Sequence, residues 1–173
     1  MRLSVRYGSH LLVLLQAVFR TYGPILELGM GTFSTRLLHD ICTLEKRQLV
    51  SCESDSRMRT WAYRFRSKFH LVHYLSDWDQ APIDVPWDVA LIDHSPSERR
   101  ITEIRRLANL AQYLVVHDTD RGFEAKYHYR EVFKEFKHSL TWTAVSPHTM
   151  VLSNFRSLDN FWERTWPRTV EFK

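Results

Sequence analysis

Four short stretches of the 173-residue chain carry residue types with chemistry to offer, and each closes or follows an apolar string. In Glu27-Leu28-Gly29-Met30-Gly31-Thr32-Phe33-Ser34, two glycines let the backbone approach a ligand, and the helix that follows offers unpaired N–H groups. Glu53 stands 22 residues after Gly31, at the end of the next apolar string, placed to accept both hydroxyls of a ribose. Asp93-His94 and His117-Asp118-Thr119-Asp120 supply carboxylates and imidazoles, groups that hold cations or move protons near neutral pH. The set implies a nucleoside-containing ligand beside a site for acid–base or metal chemistry.

The elements that must position these residues alternate between β-like and helical patterns. Such alternation is expected of an α/β fold, a mostly parallel Rossmann-like sheet with helices on both faces. Strands are predicted over residues 24–28, 48–52, 70–75, 87–93 and 113–116. Helices are predicted over 9–22 and around the apolar stripes Phe33/Leu37/Leu38/Ile41, Met58/Trp61/Ala62/Phe65, Ile101/Ile104/Leu107/Ala108 and Tyr129/Val132/Phe133/Phe136. Two last apolar strings, 140–145 and 149–152, are separated only by Ser146-Pro147-His148, too short for a helical crossover and therefore a hairpin. Ligands of open α/β sheets bind at the carboxyl ends of strands, and the four stretches fall there. Cys52, Trp61 and the stripe Tyr129, Phe133, Phe136 read as core.

The chain has 44% hydrophobic and 25% charged residues with only 5 Gly and 6 Pro, which excludes collagen-like, low-complexity and disordered classes. Residues 1–173 read as a single domain, with an N-terminal helix at 9–22, a core at 24–155 and a tail at 156–173 in which Trp162 and Trp166 follow no period. Lys plus Arg (24) exceeds Asp plus Glu (20), and the pI is near 9.2, a balance that permits an anionic partner such as nucleic acid without demanding one. The basic residues gather at 57–68 and 99–106, both read as helices with a solvated charged face. Cys42 and Cys52 are too few for a disulfide scaffold, so reduced thiols and a cytoplasmic setting are expected. The apolar run 11–19, closed by Arg20, is shorter than the ~20 residues that span a bilayer and has no small-residue cleavage site, so neither a membrane anchor nor a leader is expected.

A dinucleotide and S-adenosylmethionine both fit a glycine turn followed by an acid, and three features separate them. A dinucleotide site wants a third glycine where this chain has Ser34. Glu27, two residues before Gly29, suits the cationic methionine end of the methyl donor. The terminal hairpin is foreign to the six-stranded parallel dinucleotide fold. At this point the chain resembles the class I S-adenosylmethionine-dependent methyltransferases, over residues 24–155. Glu27-Leu28-Gly29-Met30-Gly31 is similar to that family's first motif and Glu53 to its ribose-binding acid. The resemblance implies a seven-stranded sheet of order 3-2-1-4-5-7-6 with strand 7 antiparallel. It also implies donor contacts from Thr32, Phe33, Ser34, Ser54, Asp93 and His94, and from Ser76-Asp77 at the adenine amino group.

Leu91-Ile92-Asp93-His94 is similar to the fourth-strand segment of catechol O-methyltransferase types, and the resemblance implies Mg²⁺ held by Asp93 and Asp118. Where those enzymes have an Asp-Asn pair, this chain has His117-Asp118-Thr119-Asp120, closer to macrocin O-methyltransferase and cephalosporin hydroxylase-like proteins. The third ligand therefore lies open among His117, Thr119 and Asp120. The lysine base of the catechol type is missing at Ser95-Pro96-Ser97, which leaves Asp93, His94 and His117 as the catalytic candidates, with either imidazole or a metal to deprotonate an acceptor. A small-molecule hydroxyl is the expected acceptor. An RNA methyltransferase, or a donor-binding module without acceptor chemistry, is the alternative. Asp93-His94-Ser95-Pro96 lacks the Asn/Asp-Pro-Pro-aromatic sequence that holds a flipped base amino group, which disfavours N-methylation of DNA. The short chain leaves little to cover an acceptor, a wall that a homodimer would supply.

Overall fold

The strand most buried by sequence, Trp87–Ile92, lies inside the sheet, flanked by partners on both sides. The computed structural model describes residues 8–120, 122 and 124–163. In chain order the elements are α1 (Leu11–Val18), β1 (Ile25–Leu28), α2 (Ser34–Glu45), β2 (Leu49–Glu53), α3 (Arg59–Ala62), β3 (His70–Tyr74), β4 (Trp87–Ile92), α4 (Arg100–Leu107), β5 (Ala111–His117), α5 (Glu124–Tyr127), α6 (Tyr129–Phe133), β6 (His138–Trp142) and β7 (Thr149–Ser153). The sheet order is β3-β2-β1-β4-β5-β7-β6, with β7 antiparallel to β5 and β6 and the remaining pairs parallel, the order expected of the methyltransferase class.

Alternation along the strands divides the core between the two faces of the sheet. Ile25, Leu49, Val89, Leu91, Val115 and Val151 face α1, α2 and the segment carrying Leu158 and Phe161. Leu26, Leu28, Ala90, Ile92, Leu114 and Val116 face Ile104 and Leu107 of α4 and Tyr129 and Val132 of α6. Cys42 and Cys52 are buried free thiols, and burial pushes the Cys42 thiol up to about 11 and the Cys52 thiol up to about 12. The tail of no apparent period thus contributes Leu158 and Phe161 to the core; Trp166 lies outside the described residues.

Two helices differ from expectation. The first ends at Val18 because Thr21 turns its hydroxyl back onto the Ala17 and Val18 carbonyls and buried Arg47 takes the Val18 and Thr21 carbonyls. The basic stretch 57–68 is one turn of α-helix between two short 3₁₀ turns, Ser56–Met58 and Tyr63–Phe65. Only Ala62 of it is fully inward, packed with Met30 and Val72, so little buried surface holds a longer helix together. Among the described residues, no helix is long and apolar enough to cross a membrane.

Candidate active site at the carboxyl ends of β1, β2, β4 and β5

The glycine turn packs against the end of β4. Gly29 donates its N–H to the Cys52 carbonyl (2.9 Å) and adopts φ +91°, where a Cβ would lie 2.5 Å from the Asp93 carbonyl oxygen. Only glycine fits that crossing. Gly31 differs, since a Cβ there would meet nothing within 4 Å, so the space beside it is open to a ligand. The residues at this end suit an adenosyl donor better than a pyrophosphate. Met30 N–H donates to Glu53 Oε2 (2.9 Å) and Gly31 N–H to Thr35 Oγ1 (2.9 Å). Two amides that a phosphate cradle would need free are thereby engaged.

Glu53 also accepts from the backbone N–H groups of Ser54 and Asp55 (both 2.7 Å), so it ties the end of β2 to the glycine turn from a position 6% exposed. Ser54 reaches across to the Ser95 carbonyl (3.0 Å), joining the ends of β2 and β4. Thr32 is exposed, and Phe33 packs under Gly8, which brings the segment before α1 over the turn. Ser76 and Asp77 are exposed after β3, where Asp77 caps the turn Trp78–Gln80 by accepting from Asp79 N–H (2.9 Å).

Glu27 is a correction. Expected to face the cationic end of the donor, it is instead wholly buried beneath the turn, on the face that β1 turns toward α2. Ser34 (2.7 Å) and Thr35 (2.9 Å) donate to its Oε1 and Ser51 (2.6 Å) to its Oε2. Burial raises its pKa to about 7 against the pull of these three hydroxyls.

At the ends of β4 and β5, His117 Nδ1 lies 3.1 Å from Asp93 Oδ1 while its Nε2 lies 2.9 Å from the Ser9 hydroxyl. Burial works against protonation of His117, but the Asp93 hydrogen bond and charge outweigh it, so its pKa stands above the ordinary imidazole value. Asp93 is correspondingly held below the usual carboxylate range, burial being outweighed by His117 and Arg100. His94, the other imidazole candidate, turns away: it is 1% exposed, bonded to Glu103 (3.2 Å) and packed on the Trp78 ring (centroids 4.2 Å apart). Burial lowers its pKa despite Glu103. Its backbone alone borders the glycine turn.

The pair expected to hold Mg²⁺ has a different counter-charge. Arg100 is 4% exposed and spans the two carboxylates, with Nη2 3.1 Å from Asp93 Oδ1 and Nη1 3.2 Å from Asp118 Oδ2. It also donates to the His94 carbonyl (2.8 Å). A guanidinium already relieves the repulsion that argued for a cation between Asp93 and Asp118, so these two residues do not fit an Mg²⁺ ion as they stand. Asp120 is turned to the β6–β7 hairpin, accepting from His148 N–H (2.6 Å) and Ser146 (3.1 Å), and the buried Thr119 hydroxyl has no partner.

Sequence reasoning missed three residues here: Ser9, His10 and Arg100. His10 is 2% exposed, with its ring 4.6 Å from that of His117. Both missed titratable residues sit on apolar helical stripes, His10 with Val13, Leu14 and Ala17, and Arg100 with Ile104 and Leu107. That spacing was the available signal. Next to the β5 end lies a cavity of about 700 Å³ lined by Thr119, Asp120, Arg130, Phe133, His148 and Met150, among others, within the size range of small-molecule sites.

No family model and no curated protein matches the sequence. Solved structures do match. Cofactor-bound Rv0187 from MTB aligns at TM-score 0.67 and 18% identity, over 90% of this chain and 83% of that one. A Klebsiella pneumoniae protein assigned as an O-methyltransferase aligns at TM-score 0.63 and 15% identity, over 88% and 81%. The catalytic domain of hMettl16, in complex with the MAT2A 3′UTR hairpin 1, aligns at 0.59 and 9%, over 84% and 68%. At these identities the likeness is one of fold, and the fold is that of the class I S-adenosylmethionine-dependent methyltransferases.

Proposed function

We propose that the chain transfers a methyl group from S-adenosylmethionine to a hydroxyl of a small molecule. The observation that carries this reading is the Asp93–His117 pair, which sets an imidazole nitrogen against a hydroxyl oxygen beside a glycine turn with open space. The donor, when bound, supplies an electrophilic methyl on a sulfonium. Gly29, Gly31 and Glu53 would border and hold it, and Thr32, Phe33 and Ser54 lie on the same rim. Asp93 fixes the ring of His117, and Nε2, now bonded to Ser9, is the atom that takes the acceptor's proton. The cavity beside Thr119 and Asp120 seats the rest of the acceptor, with Phe133 and Met150 as its apolar wall. No metal enters this scheme.

An RNA acceptor is the second reading. It is favoured by the exposed Arg57, Arg64, Arg66 and Lys68 and by the hairpin-bound neighbour. A pair of measurements tests the first. Calorimetry with S-adenosylhomocysteine should show binding, and a panel of phenols and sugars with labelled donor should show transfer. His117→Asn should lower turnover about 10²-fold or more while leaving product affinity unchanged. In the wild type, kcat should rise with pH through a pKa above the ordinary 6.5, since the proton must leave His117 before it can accept another. Binding without transfer to any acceptor would make the chain a donor-binding module; no binding at all would end the methyltransferase reading.

A further inference from the structure

His10 is the oddest group in the described part of the molecule. Both of its ring nitrogens are buried without a hydrogen-bond partner, a state that folded proteins rarely leave unexplained. It was not among the residues drawn to this site by sequence, and the methyl-transfer scheme does not use it.

We infer that His10, Asp93 and His117 form a binding site for a divalent transition-metal ion of the Zn²⁺ or Co²⁺ kind. One ligand atom from each residue lies within 4.8 Å of those of the other two. A tetrahedron of ~2.0–2.1 Å bonds has edges of roughly 3.4 Å, so modest side-chain rotations would close the set around an ion. The surroundings are those of a metal site at one shell further out. The Ser9 hydroxyl engages His117 Nε2 (2.9 Å), which leaves Nδ1 to face Asp93 and the ion. Arg100 donates to Asp93 Oδ1 (3.1 Å), the oxygen that also faces His117 Nδ1, and ligating carboxylates commonly accept such hydrogen bonds. Two imidazoles and one carboxylate favour borderline transition metals and disfavour Mg²⁺, which prefers oxygen ligands. Asp118, half of the pair first expected to bind metal, is not a member.

The site stands on geometry that is independent of the methyl-transfer reading, but it bears on it. An ion on His117 Nδ1 fixes the proton on Nε2, so occupancy converts the proton acceptor into a ligand, and Zn²⁺ should inhibit transfer.

The test uses the full chain stripped with EDTA and titrated with Co²⁺, whose visible d–d bands report imidazole ligation without any methyl donor. Saturable bands should develop at one equivalent, be abolished by Zn²⁺ and persist in a large excess of Mg²⁺. His10→Ala and His10→Gln should each weaken Co²⁺ binding at least about tenfold while melting as folded proteins. Asp118→Asn should leave the bands in place. Featureless spectra from the wild type, or bands that survive both His10 substitutions, would overturn the site. Because no methyl donor is present, such a failure leaves the methyltransferase reading standing, and loss of transfer activity alone leaves the metal site standing.

Discussion

At the scale of single residues, Glu27 shows how a carboxyl group can serve a ligand turn from below. Ser51, whose hydroxyl hydrogen-bonds Glu27, also lies 2.8 Å from His70 Nε2, and His70 Nδ1 lies 3.1 Å from His39 Nδ1. Ser51 gives its one proton to Glu27, and its oxygen accepts from His70 when that ring carries its hydrogen on Nε2. Burial raises the Glu27 pKa from 4.5 to about 7 against the pull of the hydroxyls that donate to it, and so favours the protonated carboxyl. The folded form therefore binds a proton that the unfolded chain releases near 4.5, and the stability contributed by protonated Glu27 is lost as pH rises through 7. Relative to wild type, Glu27→Gln should gain stability between about pH 4.5 and 7, by up to about 3 kcal/mol. Urea melts of both proteins across this range measure the difference, and parallel curves would refute it. The comparison is needed because His10 and His70, each lowered to about 4 by burial, act oppositely, costing stability as pH falls through the range between 6.5 and 4.

At the scale of elements, the turn from β1 into α2 contains two glycines with different duties. Gly29→Ala forces a side chain into the Asp93 carbonyl at positive φ and should cost about 2 kcal/mol or more in folding. Gly31→Val adds bulk to open space, so it should melt like wild type and lose S-adenosylhomocysteine binding. Thermal melts and calorimetry separate the two, and a Gly31→Val protein that still binds would remove the turn from the donor site. The strands were readable because each carries its own signal, a short apolar run ending on a polar residue. The sheet order followed from the resemblance that the glycine turn, Glu53 and the hairpin supplied. Arg100 was misread because its partners, Asp93 and Asp118, come from the ends of β4 and β5, which local periodicity does not bring together. Likewise 57–68 has a helical stripe but too little buried surface to sustain a long helix.

At the scale of the whole molecule, the arginines along α4 are largely engaged in ion pairs. Arg99 bonds Asp79 and Glu103, Arg105 bonds Glu135, and Arg106 bonds Asp84, while Arg100 is buried. Among the described residues the 57–68 stretch offers an exposed basic surface in which Arg57 is bonded to Asp55, and Lys126, Arg130, Lys134 and Lys137 are exposed as well. RNA binding should accordingly be weak and vanish between low and physiological salt, which a filter-binding series would measure. Salt-tolerant, sequence-dependent binding would favour the RNA reading instead.

The covering of α1 by Leu158 and Phe161 has a consequence for synthesis on the ribosome. Gln16 donates to the Phe161 carbonyl (2.6 Å), and Val13, Leu14 and Val18 share a core with residues that emerge roughly 140 positions later. The part of α1 that meets Leu158 and Phe161 thus waits uncovered until that segment has left the exit tunnel, while the rest of its apolar face meets strand residues such as Ile25, Val89 and Leu91 that emerge earlier. At ~5–20 residues per second that delay is on the order of 10 s. Over this interval the nascent chain presents that uncovered patch to any holdase within reach, and closure of the core on this face of the sheet follows the emergence of Leu158 and Phe161.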